Sequence, residues 1–347
     1  NYARKVVFFG AVCYNIKKKG KMKGLPLAET FMDINKYTPK FRLKNTDLLH
    51  LADLTSEEIF ELLYAARSMK KKYKVGENIS ILRGKTVGLL FGNVSTRTRV
   101  SFELGIRQLG GDFIFLPKNE TQLSRGESVK DTAAMLGRYG LSALVLRGFN
   151  DEELEEFAAV CDIPVINGIS DTSHPLQVLS DLYTVWEKKG RLENLKLAYI
   201  GDGNNVANSL IIGCTKCDMN IAIASPNGYS PARSIVERGM QYGDILITDS
   251  VSEAVRDADV VYTDVFISMN DEDDEKKKIK LEKYRVTKEV MSLAKEDALF
   301  MHCMPVRRGE EVTAEVADGS QSIMYDQAEN RLHLNKAALS LLMMNEK

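Results

Sequence analysis

The sequence predicts an α/β fold of two doubly wound parallel-sheet domains joined by interdomain helices, and three observations carry that expectation. Short apolar runs alternate with amphipathic segments along most of the chain, the pattern of parallel strands covered by helices on both faces. The alternation stops at one long helical stretch, 174–190, and then starts again. At 347 residues the chain is long enough to bury two cores of ordinary size.

Taken in order, "TSEEIFELLYAARSMKKK" (55–72) has apolar residues at helical spacing and an acidic first turn. "KTVGLLF" reads as a buried strand and "TRVSFELGIRQLG" as the helix after it, closed by Gly110 or Gly111. "GDFIFLP", "SALVLRG" and "IPVING" are further strands, separated by the helices "SVKDTAAMLGRYG" and "DEELEEFAAVC". A helix beginning near Pro175 leads into the second half. There "LKLAYIGDG", "NIAIASP", "DILITD", "DVVYTDV" and "ALFMHCMP" are the strands, with "SPARSIVERGM" and "SVSEAVRDA" among the helices between them. The charged run "DEDDEKKKIKLEK" reads as a solvated helix start. "QAENRLHLNKAALSLLMM" is one long terminal helix, expected to cross back to the first domain. The expected division is 22–174 with the helix 322–347 as one domain and 175–321 as the other.

The segment 1–21 is set apart as an atypical extension, with six basic residues, no acidic one and a nine-residue apolar centre. It reads as a targeting peptide, a leader or an appended sequence, with Met22 available as a start. With 47 basic and 48 acidic side chains, the chain has no excess charge to favour nucleic acid. Apolar runs fall short of the roughly 20 residues that cross a bilayer. The five cysteines form no disulfide framework, and Cys214 and Cys217, though spaced CxxC, lie in a helical run without companions for a zinc site. The expectation is a cytoplasmic protein with no membrane or nucleic-acid partner.

"FGNVSTRTRVSFELG" (91–105) concentrates hydroxyls and arginines at the junction of a strand and a helix. Ser95, Thr96, Arg97 and Thr98 would meet an anion with hydroxyls, backbone amides and a guanidinium at a helix N-terminus. The alternative is a well-capped helix start with exposed arginines, and Arg99 fits that better, as an i,i+4 partner of Glu103. There is no GxxxxGK, so nothing marks an ATP site. Other strand ends carry Arg147, His174 and Gln177 in "DTSHPLQ", and His302 with Cys303 in "MHCMPVRR". "GDGNN" (201–205) lacks the GxGxxG spacing of a dinucleotide site. One half thus offers a phosphate grip, and the other offers Asn205, Asp264 and Ser268, suited to an ammonium or an amino-acid head group. Group transfer between two such ligands is the obvious use.

In order and spacing "STRTRVSFE", "HPLQ", "GDGNN", "TDVFISM", "HCMP" and "DQAENRLH" closely resemble the carbamoyltransferases, most nearly those that use ornithine. The resemblance implies the aspartate/ornithine carbamoyltransferase fold, with 22–174 and 322–347 binding carbamoyl phosphate and 175–321 the amino acid. It implies transfer of a carbamoyl group to the side-chain amine of L-ornithine, giving citrulline and phosphate. Ser95, Thr96, Arg97 and Thr98 match the phosphate-binding segment. Arg147 matches an arginine reaching phosphate and carbamoyl oxygen, His174 and Gln177 the pair on the carbamoyl group, and Arg331 an arginine from the last helix. Gln122 sits where the family sends a residue into a neighbouring subunit, which implies a homotrimer with sites at subunit interfaces and leaves higher assembly open. Asn205, Asp264, Ser268 and Met269 match ornithine contacts, and His302, Cys303 and Met304 the segment beside the reacting amine, with Cys303 and Met304 also counted among the carbamoyl-phosphate-binding residues. Thr98, Arg147, His174, Asp264 and Cys303 are the expected catalytic set, with no metal and no cofactor.

Three positions depart from the family pattern. Val94 replaces a proline before the phosphate segment, and Met304 replaces leucine with little change of shape. Asn270 stands where the ornithine enzymes have glycine, which tolerates left-handed backbone more freely. Putrescine is therefore the main alternative acceptor, although Ser268 and Met269 favour ornithine. An acylated ornithine, for which the knotted proline-rich connection is missing, and a catalytically silent relative rank below it.

Overall fold

The computed structural model describes residues 33–267 and 275–344, together with the backbone of two short strands near the N-terminus. These are β1 (Val6–Phe9) and β2 (Val12–Asn15), an antiparallel pair. There follow α1 (Ser56–Lys74), β3 (Thr86–Phe91), α2 (Thr96–Gln108), β4 (Asp112–Pro117), α3 (Val129–Arg138), β5 (Ala143–Phe149), α4 (Asp151–Val160), β6 (Val165–Ser170) and α5 (Pro175–Lys189). The second series is β7 (Lys196–Ile200), α6 (Asn205–Lys216), β8 (Asn220–Ala224), α7 (Arg233–Gly239), β9 (Ile245–Thr248), α8 (Val251–Val255) and β10 (Val260–Thr263). It closes with α9 (Glu275–Leu281), α10 (Lys288–Ser292), β11 (Leu299–His302), α11 (Ala314–Ala317) and α12 (Met324–Leu342).

The chain forms two compact units, Tyr37–Thr184 with Ala328–Lys347, and Asn1–Lys36 with Val185–Gln327. Both divisions fall inside helices, α5 and α12, rather than at 174/175 and 321/322. The first unit holds a parallel sheet ordered β4–β3–β5–β6. Its helix starts follow local rules: Thr55 and Glu58 close a capping box on α1, Ser95 caps α2 and Ser128 caps α3. Leu90, Leu144, Leu146, Phe149, Phe157 and Val165 are packed together in its core.

The second unit has the order β11–β10–β7–β8–β9–β1–β2, parallel except for the terminal β1–β2 pair. Here the structure corrects the sequence reading. The extension set apart from the fold supplies two strands, with Val7 paired to Ile247 of β9. Its apolar centre is rich in Val, Phe and Tyr, residue types that favour strands. The central strands are apolar throughout because both faces are covered, and Val261, Phe300, Val286, Tyr284 and Met291 fill one side. Cys214 and Cys217 are buried and in no disulfide, and burial pushes the Cys217 thiol up to about 12, so it stays protonated. Among the described residues, no helix is long and apolar enough to cross a membrane.

Candidate active site

In the first unit the strand ends bring together the residues expected to hold an anion. Ser95 accepts the Thr98 N–H at 3.2 Å and so starts α2 directly after β3. Thr98 is buried, and its Oγ1 accepts from Arg147 Nη1 at 3.2 Å and from Arg331 Nη2 at 2.9 Å. Arg147 is aimed by an irregularity: the β5–β6 register shifts on either side of it, and Gly148 follows at φ 73°. The Gly92 N–H donates to the Arg147 carbonyl at 2.7 Å, and a Cβ on Gly92 would lie 2.6 Å from the Gly148 carbonyl oxygen. Only glycine fits that crossing.

His174 precedes α5 and is buried, as is Gln177, whose Nε2 donates to Asp181 at 2.8 Å. The turn that presents His174 is tied by Asn167 Nδ2 to Ser173 Oγ at 3.0 Å and by His50 Nδ1 at 3.0 Å from the same hydroxyl. Burial, then Arg331, Arg147 and Arg97, holds the His174 imidazolium well below its usual pKa, so this ring is neutral. Burial, with Arg331 and Arg97, likewise pulls Arg147 down to about 9. Arg147 Nε and Gln177 Oε1 are buried without a hydrogen-bond partner among the described residues. Clustered cations and unused polar atoms are what an anionic, hydrogen-bonding ligand would satisfy.

Arg97 is half-buried and Thr96 exposed at the mouth of this group. Arg99 points elsewhere, bonding Glu103 at 2.7 Å and lying 3.7 Å over the Phe115 ring, as its i,i+4 spacing suggested. Gln122 opens a 3-10 turn, Gln122–Arg125, with its side chain exposed.

The second unit gathers a different chemistry at the ends of β7, β10 and β11. Gly203 lets the "GDGNN" turn approach its neighbour: its N–H donates to the Tyr229 carbonyl at 2.7 Å, and a Cβ would fall 2.2 Å from Pro231 N. Asn204 caps α6, and its Nδ2 donates to Asp264 Oδ2 at 2.8 Å. Asp264 Oδ1 accepts from Cys303 Sγ at 2.9 Å and from the Val265 N–H at 2.8 Å. Asn205 is the first residue of α6 and half-buried. Ser268, Met269 and Asn270 lie outside the described residues.

His302 is buried, with Nε2 3.0 Å from Glu311 Oε1 and Nδ1 accepting the Met304 N–H at 2.9 Å. Met304 takes a left-handed φ of 60°, strained for a long side chain and held by that bond. The His302 N–H donates to Gln327, whose own amide reaches the Tyr262 hydroxyl at 3.0 Å. Asp264, His302 and Cys303 place potential ligand atoms within 4.8 Å of one another. Both His302 ring nitrogens are already engaged, however, so only Asp264 and Cys303 remain as possible ligands, where a tetrahedral site needs three or four. His302 is thus tied to Glu311, Gln327 and the Met304 backbone.

The sequence matches the carbamoyl-P binding domain of aspartate/ornithine carbamoyltransferases over residues 46–187, and their Asp/Orn binding domain over residues 193–342. The chain belongs to the aspartate/ornithine carbamoyltransferase family. It is 50% identical over 297 residues to the ornithine carbamoyltransferase of Caldicellulosiruptor saccharolyticus, covering 84% of this chain and 96% of that protein. Against that of Oceanobacillus iheyensis the identity is 47% over 307 residues, covering 87% and 95%. The solved ornithine carbamoyltransferase of Pyrococcus furiosus superposes with a TM-score of 0.83 at 43% identity, covering 87% of this chain and 98% of the other. As a member of this family the protein is a carbamoyl-transferring enzyme.

Several residues around both groups escape a reading by motif. His50, 123 residues from Ser173, and the nearer Asn167 shape the His174 turn, and Glu311 and Gln327 hold His302, all from outside the recognised motifs. Asn204, which the sequence reading passed over beside Asn205, makes the bond to Asp264. The N-cap pattern, Asn before an apolar helix, was the signal available for it.

Proposed function

We propose that this carbamoyltransferase uses L-ornithine, moving the carbamoyl group of carbamoyl phosphate to its side-chain amine to give L-citrulline and phosphate. The observation that carries the reading is the buried pair of guanidiniums on Thr98, in a chain whose other unit sets a carboxylate against a thiol. In this reading Ser95, Thr96, Arg97, Thr98 and Arg331 hold the phosphate, helped by the N-terminus of α2. Arg147, neutral His174 and Gln177 face the carbamoyl group. Thr98, Arg147 and His174 stabilise the oxyanion that forms as the amine nitrogen bonds to the carbamoyl carbon and the bond to phosphate oxygen breaks.

An alkylammonium has a pKa of roughly 10, so the amine must shed a proton to attack. Asp264 and Cys303 orient it and relay that proton, with the departing phosphate as final acceptor. Asn205, Ser268 and Met269 contact the amino acid, and Met304 lies beside the reacting amine. We assign carbamoyl phosphate to the unit built on β3–β6 and the amino acid to the other.

A homotrimer in which Gln122 completes a neighbour's site is supported by exposed Val100 and Leu104 on α2 and Ile114 on β4, apolar side chains on adjacent elements. The free, buried thiols suit the reducing cytoplasm. The test is to supply carbamoyl phosphate with L-ornithine or putrescine and to follow phosphate release and the carbamoylated product. Preference for ornithine is expected. Equal or better use of putrescine would replace the acceptor while leaving the phosphate site in place.

A further inference from the structure

Asn204 uses both ends of its amide. As the cap of α6, its Oδ1 accepts the Val206 N–H at 3.0 Å and the Ala207 N–H at 3.1 Å. An amide whose oxygen serves two helix N–H groups cannot turn over without setting donor against donor, so Nδ2 is obliged to face away from the helix. It faces Asp264 Oδ2 at 2.8 Å. The other oxygen, Oδ1, takes the Val265 N–H and the Cys303 thiol, at 2.8 and 2.9 Å. Each carboxylate oxygen is thus claimed by a donor on a different element, and rotation of the group is blocked from both sides. Behind them Tyr199, fully buried, donates to the Asp202 carbonyl at 2.9 Å and lies 3.4 Å from Asn204 Oδ1.

We propose that Asn204 is a positioning residue for the Asp264–Cys303 pair. Through its amide, the first turn of α6 decides which Asp264 oxygen faces the thiol and which lone pairs are left for the acceptor amine. The inference rests on the ornithine reading and extends it. Asn204 itself touches no reacting atom.

Ser and Asp cap helices about as well as Asn, and neither carries the amide donor. Asn204→Ser and Asn204→Asp therefore separate capping from positioning. Both variants are expected to melt near the wild-type temperature, to keep the wild-type KM for carbamoyl phosphate, and to lose kcat by about 10- to 100-fold, the scale of a misplaced reacting group. Asn204→Asp should be the slower, because it sets a second carboxylate against Asp264. A second readout needs no turnover: iodoacetamide should alkylate Cys303 several-fold faster in Asn204→Ser, measured against a Cys303→Ala background, because the thiol has lost its fixed acceptor. Wild-type kcat and an unchanged alkylation rate in these variants would overturn the positioning role. Faster alkylation in a protein that fails to carbamoylate ornithine would uphold it and sink the ornithine reading instead.

Discussion

Replacing Arg331 by methionine tests the phosphate grip where its energetics are most distinctive. Arg331 and Arg147 both donate to Thr98 Oγ1, so their nearest nitrogens stand no more than about 6 Å apart, where two unit charges repel by about 3 kcal/mol at an effective dielectric of about 20. Against this stands the hydrogen bond to Thr98, about 1.5–3 kcal/mol for a charged donor. Without ligand the two nearly cancel, and Arg331→Met should melt within a few degrees of the wild type. With ligand they do not: the anion turns repulsion into attraction, and losing one buried cation from it costs about 3 kcal/mol, roughly a 100-fold weaker Kd. Thermal melting against rising carbamoyl phosphate or phosphate measures both effects. A variant that is several kcal/mol less stable when empty, yet shows an undiminished ligand-induced rise in Tm, would refute the reasoning, because Arg331 would then be a structural cation.

Three further outcomes are expected. Cys303→Ala should fold normally and lose turnover by about 10-fold or more, the lower range for a group that helps move a proton; full turnover across pH 6–9 would remove the thiol from the mechanism. Burial and the nearby Lys336, Lys70 and Lys74 hold His333 down at about 3, and Glu329, 3.6 Å away but exposed, does not offset them. Because the unfolded chain takes up that proton below about 6.5 and the fold does not, stability should fall by up to about 1.4 kcal/mol per pH unit between pH 6.5 and 4, and His333→Gln should flatten this slope in urea titrations. Gly203→Ala must push the "GDGNN" turn off Pro231; a loss of about 2 kcal/mol or more, together with a raised KM for the amino acid and little change in that for carbamoyl phosphate, is the expected pattern.

Much of this arrangement is legible in the sequence because its causes are local. Thr55, Ser95 and Ser128 announce helices through side chains that cap their own backbone three residues on, and the central strands announce themselves by unbroken apolar runs. The Ser95–Thr98 part of the anion group is legible for the same reason, since strand, cap and hydroxyls lie close together, whereas Arg147 and Arg331 reach Thr98 from far along the chain. What is not legible depends on contacts between distant segments. His50 meets Ser173, and His302 meets Glu311 and Gln327, only once the sheets exist. Periodicity cannot say which asparagine of a pair points at Asp264, because that follows from where the cap of α6 meets the end of β10. The strands Val6–Phe9 and Val12–Asn15 escaped because a short apolar stretch beside basic residues has the composition of a targeting peptide as much as that of a hairpin.

The two margins of the β3–β6 sheet are treated differently. On one side Leu48 covers β6, its N–H bonded to the Val165 carbonyl and its carbonyl to the Asn167 N–H. On the other, β4 ends the sheet among the described residues, with Ile114 exposed, an edge of the kind whose backbone groups can pair with an arriving strand. Recovery from a crowded refolding mixture should therefore fall as protein concentration rises, because unfolded neighbours reach this margin before the chain has closed. A lysine placed at Ile114 should relieve that loss.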